Sequence, residues 1–257
     1  MEPGTMRHFH TALLLLTALS AICLLSQSAQ ATGTTHIWAP STDIQPFKLW
    51  HITSDLYFPV SPDPSGSRLP TVTNVGLTVG ILPFKNLNAE IGFDHKSGFG
   101  GIDSYPLYGN AKIGIPENAF GGIFPACAVG IFDVGTKADM TDFNVIYGKL
   151  AKTIAINKFS LGRFSAGYFS GSKKLLLNES GGKDNNGLLM AWERTMTELS
   201  DKLWICAEYM GTKSVYGSFN VGAAWKFAPN VSIIGGYDIF NNPSLVDMAT
   251  LQVDIDI

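Results

Sequence analysis

From about residue 47 to the C-terminus, apolar and polar positions alternate with a period of two. Leu87, Ala89, Ile91 and Phe93 interleave with Asn88, Glu90, Gly92 and Asp94. Phe219, Val221, Ala223 and Trp225 interleave with Asn220, Gly222, Ala224 and Lys226, and Leu251, Val253 and Ile255 with Gln252, Asp254 and Asp256. Successive side chains of a strand point to opposite faces, so each segment has one apolar face and one polar or small face. No long stretch shows a helical period. The alternation predicts about twelve strands, over 47–58, 72–83, 87–95, 105–115, 122–132, 143–155, 159–169, 187–195, 202–210, 214–227, 230–240 and 248–257. Most are near the ~9–11 residues of a tilted membrane strand and longer than the ~5–6 of a soluble one.

The connections alternate between long and short. Residues 59–71, 96–104, 135–142, 170–186 and 241–247 are long; 84–86, 156–158 and 228–229 are tight. The segment 211–213 is the exception, a short connection where a long one is expected. Short turns on one side and longer loops on the other mark an up-and-down antiparallel transmembrane β-barrel. An even strand number puts both termini on the short-turn side.

Composition sharpens this picture. Charged residues are 15% of the 257, hydrophobic residues 46%, Gly 27, and the net charge is -3. Disorder and nucleic-acid binding are excluded by the apolar content and the missing basic stripe. A soluble surface usually carries about 25–35% charge, so the low total favours apolar faces turned to lipid. The aromatics of those faces, Trp50, Phe93, Tyr168, Trp192, Tyr209, Trp225 and Tyr237, then form interfacial girdles. Glycines of the other face (Gly76, Gly80, Gly92, Gly114, Gly148, Gly167, Gly222, Gly236) suit a crowded lumen.

Basic Arg7, an apolar run over 12–25 and Ala29-Gln30-Ala31 read as a secretory signal peptide over 1–31. Residues 32–45 are a tail, periplasmic or lumenal, and 46–257 the barrel. Cys23 leaves with the signal. Cys127 and Cys206 lack metal-ligand neighbours and read as free thiols.

The terminal strand ATLQVDIDI (249–257), with the signal and the loop parity, resembles the outer-membrane β-barrel proteins of Gram-negative bacteria. Residues 81–94 (ILPFKNLNAEIGFD), 201–204 (DKLW) and 226–230 (KFAPN) are similar to an uncharacterised, porin-like group of these barrels, over essentially 45–257. The resemblance implies the cell outer membrane, contact with its lipid, and insertion by the barrel-assembly machinery. It imports no activity. Such barrels usually end in Phe, whereas this chain ends in Ile257.

Candidate chemistry is thin, and the chain reads as a non-enzyme with no cofactor and no metal. His51 shares a face with Asp55 at i, i+4, and His95 follows Asp94, but no Ser lies in a Gly-x-Ser-x-Gly turn. Asp133, Asp139 and Asp142 fall in one loop without a calcium-loop spacing and read as a solvated face. The inward inventory is more informative. Its acids are Asp55, Glu90, Asp94, Glu193, Glu208, Asp238, Asp254 and Asp256; its bases are Lys112, Lys152, Arg163 and Lys226. Carboxylates lining a pore favour cations. The expected function is therefore a porin-like channel for passive diffusion of small polar, cationic solutes, with loop 170–186 gating access. A non-conducting barrel, an anchor or surface-interaction protein with its charges tied in salt bridges, is the alternative, and a lipid-modifying barrel enzyme the third. Solute and oligomeric state are not legible.

Overall fold

The period-two segments become strands: β1 Trp50–Pro59, β2 Val72–Gly80, β3 Asn88–Ser97, β4 Leu107–Ile115, β5 Ala126–Gly135, β6 Asp142–Ile156, β7 Phe159–Ser170, β8 Asn186–Thr195, β9 Leu203–Met210, β10 Ser218–Ala228, β11 Val231–Phe240 and β12 Met248–Asp256. This computed structural model describes residues 34–157 and 159–257. The predicted signal peptide, Cys23 and the start of the tail lie outside them. Each strand pairs antiparallel with its neighbour in sequence, and β1 pairs with β12 to close the barrel, His51 standing opposite Asp256. The only departure from strands and loops among the described residues is a short 3-10 turn, Gly100–Ser104.

Two predicted boundaries move furthest, by four residues each. β10 begins at Ser218 rather than 214, because Ser214–Gly217 close a turn (Gly217 N–H to Ser214 O, 3.1 Å) that tips Tyr216 into the lumen. The connection 211–217 is therefore long, and the anomaly in loop parity disappears. β5 begins at Ala126 rather than 122. Ile123 and Phe124, apolar enough to read as strand, sit in a turn shaped by left-handed Asn118 and Gly121, with Ile123 94% exposed.

The outward rows are apolar. Ile91, Phe93, Val129, Ile146, Leu150, Leu188 and Met190 are exposed along the strands. Trp50, Phe164, Trp192 and Trp225 lie toward the short-turn end, and Phe93, Tyr168, Tyr209, Phe219 and Tyr237 toward the long-loop end. An apolar belt between two aromatic girdles, on a closed barrel of even strand number with both strand termini on the short-turn side, is the architecture of bacterial outer-membrane barrels. Closure leaves no unpaired edge in the hydrocarbon. The inward rows carry His51, Asp55, Glu90, Lys112, Lys149, Glu193, Glu208, Asn220 and Asp238, all buried.

Candidate functional site

Twelve strands enclose more space than an eight-strand barrel, whose side chains fill it. Here the extra space is occupied by the chain's own N-terminal segment. Residues 34–49 enter at the short-turn end, where Phe47 bridges to Gly80 and the Lys48 N–H donates to Gly80 O (2.8 Å). The segment climbs the lumen and reverses in a small hairpin. Thr35 bridges Pro40, the His36 N–H donates to Ala39 O (3.0 Å), and the Ser41 N–H to Thr34 O (3.1 Å).

Glycines on the wall form its berth. A Cβ at Gly222 would lie 2.8 Å from Ile37 Cδ1, and one at Gly236 3.1 Å from Ile37 Cγ2; one at Gly80 would meet the Pro46 and Gln45 carbonyls. Ile37 packs there against Cys206, Ala224, Ile234 and Trp204. At the hairpin tip the Trp38 ring meets Tyr57 and Phe240 edge-on (5.3 and 5.7 Å), and its indole N–H donates to Tyr216 O (3.1 Å). Ala39 joins an apolar cluster with Val145, Tyr147, Phe169, Leu189, Met210 and Leu176. Leu176 comes from loop 171–185, which folds inward as a cap over that end.

Wall charges grip the segment. Glu208 Oε1 accepts the Trp38 N–H (2.6 Å), the Ala39 N–H (3.1 Å) and Asn220 Nδ2 (3.0 Å). Glu193 faces His36 Nε2 (3.3 Å) and accepts the Trp204 indole N–H (3.0 Å). Glu90 accepts the Gln45 N–H (2.7 Å) and pairs with Lys112 (3.1 Å), whose ammonium also donates to the Thr34 (2.9 Å) and Asp43 carbonyls. Arg163 holds the Asp43 carboxylate (2.8 and 2.7 Å) and Thr42 Oγ1 (2.6 Å). Burial and the Lys149 ammonium work against the His36 imidazolium, but Glu193 and Glu208 outweigh them and hold its pKa above the ordinary value.

The other predicted lumen residues belong to the wall. Asp55 accepts from Thr53 (2.6 Å) and Asn74 (2.9 Å), Asp94 accepts from Asn110 (2.8 Å), and Lys226 lies opposite Ser232 near the short-turn mouth. Asp238 is fully buried opposite Asn220. So Glu90, Glu193, Glu208, Lys112 and Arg163 converge on the N-terminal segment, whereas among the described residues the side-chain donors to Asp55 and Asp94 come from the wall. Lys152 is corrected. It stands opposite outward Phe164, and its ammonium turns to Asn118 Oδ1 (2.7 Å) and the Gly122 carbonyl (2.8 Å). Gly148 likewise lies on the outward row, opposite Tyr168.

Three lumen charges escape the sequence inventory. Lys149 donates to Pro40 O (2.9 Å). Its inward position follows from parity with Tyr147 and Ala151. Lys96 is inward because β3 runs to Ser97. It pairs with Asp133 at 2.5 Å, which a β-bulge and a left-handed backbone (φ 53°) turn inward. Asp133 also accepts the Tyr216 hydroxyl. Asp139 instead pairs with exposed Lys174 (2.8 Å), so the three loop aspartates do not converge. Among the described residues no three His, Cys, Asp or Glu side chains are placed to hold a metal. Cys127 and Cys206 are free thiols.

His51 does not pair with Asp55. Its Nδ1 meets Asp256 (2.9 Å) and its Nε2 faces Asp254 (3.4 Å) on β12. With a carboxylate at each ring nitrogen, neither is presented to a nucleophile as a general base would require.

The segment divides the lumen. Beside it, along β1 to β5, runs a cavity of about 140 Å³ bordered by His51, Asp55, Glu90, Lys96, Asp133 and Tyr216. Below it is a wider vestibule of about 640 Å³, bordered by Asp43, Glu117, Arg163, Glu193, Arg194 and Lys226.

No family model matches the chain, and no curated protein matches it. Among solved structures it is similar to the COG4313 outer membrane channel from Pseudomonas putida F1 (10% identity, 83% of this chain and 97% of that chain, TM-score 0.46). It is also similar to the NanC porin (9%, 80% and 98%, 0.47) and to Omp33 of Acinetobacter baumannii (9%, 82% and 98%, 0.43). At these similarities the reading of the lumen rests on the chain's own residues.

Proposed function

We propose that the chain is an outer-membrane channel for small polar, cationic solutes, held closed by its own N-terminal segment. The carrying observation is the separate character of that segment. It contributes no strand to the barrel, and it lies in a glycine-lined berth with cavities beside and below it. The twelve-stranded wall closes without it. Withdrawal would join the cavities and bare a lumen whose inward acids (Asp55, Glu90, Asp94, Asp133, Glu193, Glu208, Asp238, Asp254, Asp256) outnumber its bases (Lys96, Lys112, Lys149, Arg163, Lys226). Such a wall concentrates cations. Loop 171–185, anchored by Leu176, restricts the outer mouth. Insertion would use the barrel-assembly machinery, and this reading assigns the wall no catalytic role, in keeping with a His51 whose two nitrogens face carboxylates.

A permanently closed, non-conducting barrel is the second reading, favoured by how many wall charges are spent on the segment. Planar-bilayer recording separates the two. Deletion of residues 34–45 is expected to give larger, longer cation-preferring steps than the full chain. If the deleted barrel is silent while its heat-modifiable gel shift shows it folded, the channel reading fails.

A further inference from the structure

The cavity beside the N-terminal segment carries more negative charge than its own bases answer. Four carboxylates line it, Asp55, Glu90, Asp94 and Asp133, against the ammonium groups of Lys96 and Lys112. Lys96 is spent on Asp133 (2.5 Å), and Lys112 on Glu90 (3.1 Å) and two carbonyls of the segment. His51 also borders the cavity, but its ring nitrogens face Asp256 and Asp254. Among the described residues, Asp55 and Asp94 are left with neutral donors: Thr53 and Asn74 for the first, Asn110 for the second. Asp55 is buried, and Asn74 Oδ1, out of water on the same wall, accepts no hydrogen bond among the described residues. A buried carboxylate needs a compensating charge, and a buried amide oxygen needs a donor. Aromatic rings complete the lining. Trp38 of the docked hairpin, Tyr57 and Tyr216 border the same space, Trp38 standing edge-on to Tyr57. Asp55 on β1 and Asp94 on β3 are separated by β2, roughly 10 Å from backbone to backbone. Inward Gly76 of β2 keeps the way between Thr53 and Asp94 clear, since a Cβ there would lie 2.8 Å from Thr53 Cγ2 and 2.5 Å from Asp94 Oδ1.

We infer that this cavity takes a short aliphatic diammonium ion, one end at Asp55 and Asn74 Oδ1, the other at Asp94, its carbon chain against the aromatic rings. Two carboxylates without a counter-ion call for two positive charges. The amide oxygen calls for an N–H donor, which a metal ion and a quaternary ammonium both lack. The rings suit a carbon body and attract a cation placed over their faces. The cavity volume of about 140 Å³ is close to the ~150 Å³ that takes a benzene-sized guest, so the ion has about six non-hydrogen atoms. This inference deepens the channel reading and rests on it for the route by which such a solute arrives.

The test is calorimetric titration of the full-length folded protein in uncharged detergent micelles at fixed ionic strength, with 1,4-diaminobutane as the probe. Binding to one site with a Kd below about 1 mM is expected. Butylamine, with one charge, and tetramethylammonium, with no N–H, should each bind at least about tenfold more weakly. Asp55→Asn should weaken diamine binding by roughly 10–100-fold, and Asp94→Asn by a similar factor, so the test stands should one of the two fail to fold. Asp238→Asn, an inward acid outside this lining, should bind as the wild type does. The inference is overturned if the wild type shows no saturable binding, if butylamine or tetramethylammonium binds as tightly as the diamine, or if Asp55→Asn and Asp94→Asn both bind it unchanged. It is equally overturned if Asp238→Asn costs as much as Asp55→Asn, which would make the attraction a diffuse field. A barrel silent in bilayers that still binds the diamine would refute the channel and keep the site; one that conducts without binding it would do the reverse.

Discussion

Truncating Ile37 should release the N-terminal segment while sparing the barrel. Ile37 is 1% exposed, and its methyl groups lie against Gly222 and Gly236. Removing a buried Ile side chain down to Ala costs about 2–5 kcal/mol, and more where the surroundings cannot collapse into the gap. Two glycines have no side chains to move into it, so the cost should fall near the upper half, about 3 kcal/mol or more. A loss of that size raises the undocked-to-docked ratio by roughly 100-fold or more. Chymotryptic cleavage after Trp38 reads the undocked fraction where opening and reclosing are fast relative to cleavage. Ile37→Ala should be cut roughly 100 times faster than wild type. Ile37→Val, costing about 1 kcal/mol, should be cut only about five times faster. Ile91→Ala, on the lipid face and 48% exposed, should match wild type. Equal cleavage of Ile37→Ala and wild type would refute the berth as the anchor. A collapse of the heat-modification midpoint in Ile37→Ala would show instead that the segment is part of the barrel's own fold.

Other outcomes follow from the charges. The His36 pKa is raised in the docked state, so its contribution to docking is fully present below the undocked value and lost as pH rises through the docked one. Cleavage after Trp38 should therefore accelerate as pH rises above about 6.5, and His36→Gln should flatten the profile. The charges facing His36 are Glu193 on β8, Glu208 on β9 and Lys149 on β6. Lys112→Met leaves Glu90, 1% exposed, without its counter-ion. Breaking one side of a buried pair costs about 3–5 kcal/mol, or roughly 6–20 °C in the heat-modification midpoint, and Glu90→Met in the same chain should restore much of it.

Strand existence and facing were legible because a membrane barrel imposes one rule on every strand, apolar out and polar or small in. The errors lie where that rule is locally suspended. Lys152 holds an outward position near a strand end, where a long side chain can bend back to the turn carbonyls, so its charge masks its parity. Lys149 is missed for the complementary reason, since Gly148 beside it reads as an inward residue. Asp133 sits at a bulge, where one extra residue breaks the count. The plug was barely legible. The segment 34–45 has no periodicity, and nothing in it states that Ile37 will find two glycines nearly 200 residues away. The one available sign was the excess of inward glycines, which a lumen open to water has no need of.

The same carboxylates cannot be counted once for closing and again for selecting without a consequence that can be measured. Glu208 receives two backbone N–H groups of the segment and the Asn220 amide, whereas among the described residues Asp55 receives only wall groups, Thr53 and Asn74. Hydrogen bonds to a charged acceptor contribute about 1.5–3 kcal/mol and neutral ones about 0.5–1.5. Glu208→Gln should therefore weaken docking by roughly 1 kcal/mol per bond, and by about 2 kcal/mol over the two bonds to the segment. It also removes one negative charge from the open lumen. In bilayers it should open more often and, once open, discriminate less between cation and anion. Asp55→Asn should lower discrimination alone, with cleavage after Trp38 unchanged. If Asp55→Asn loosens the segment as much as Glu208→Gln does, the lumen acts as one diffuse field rather than as a grip and a filter sharing a wall. If neither variant changes the reversal potential of the barrel lacking 34–45, the inward acids do not set selectivity.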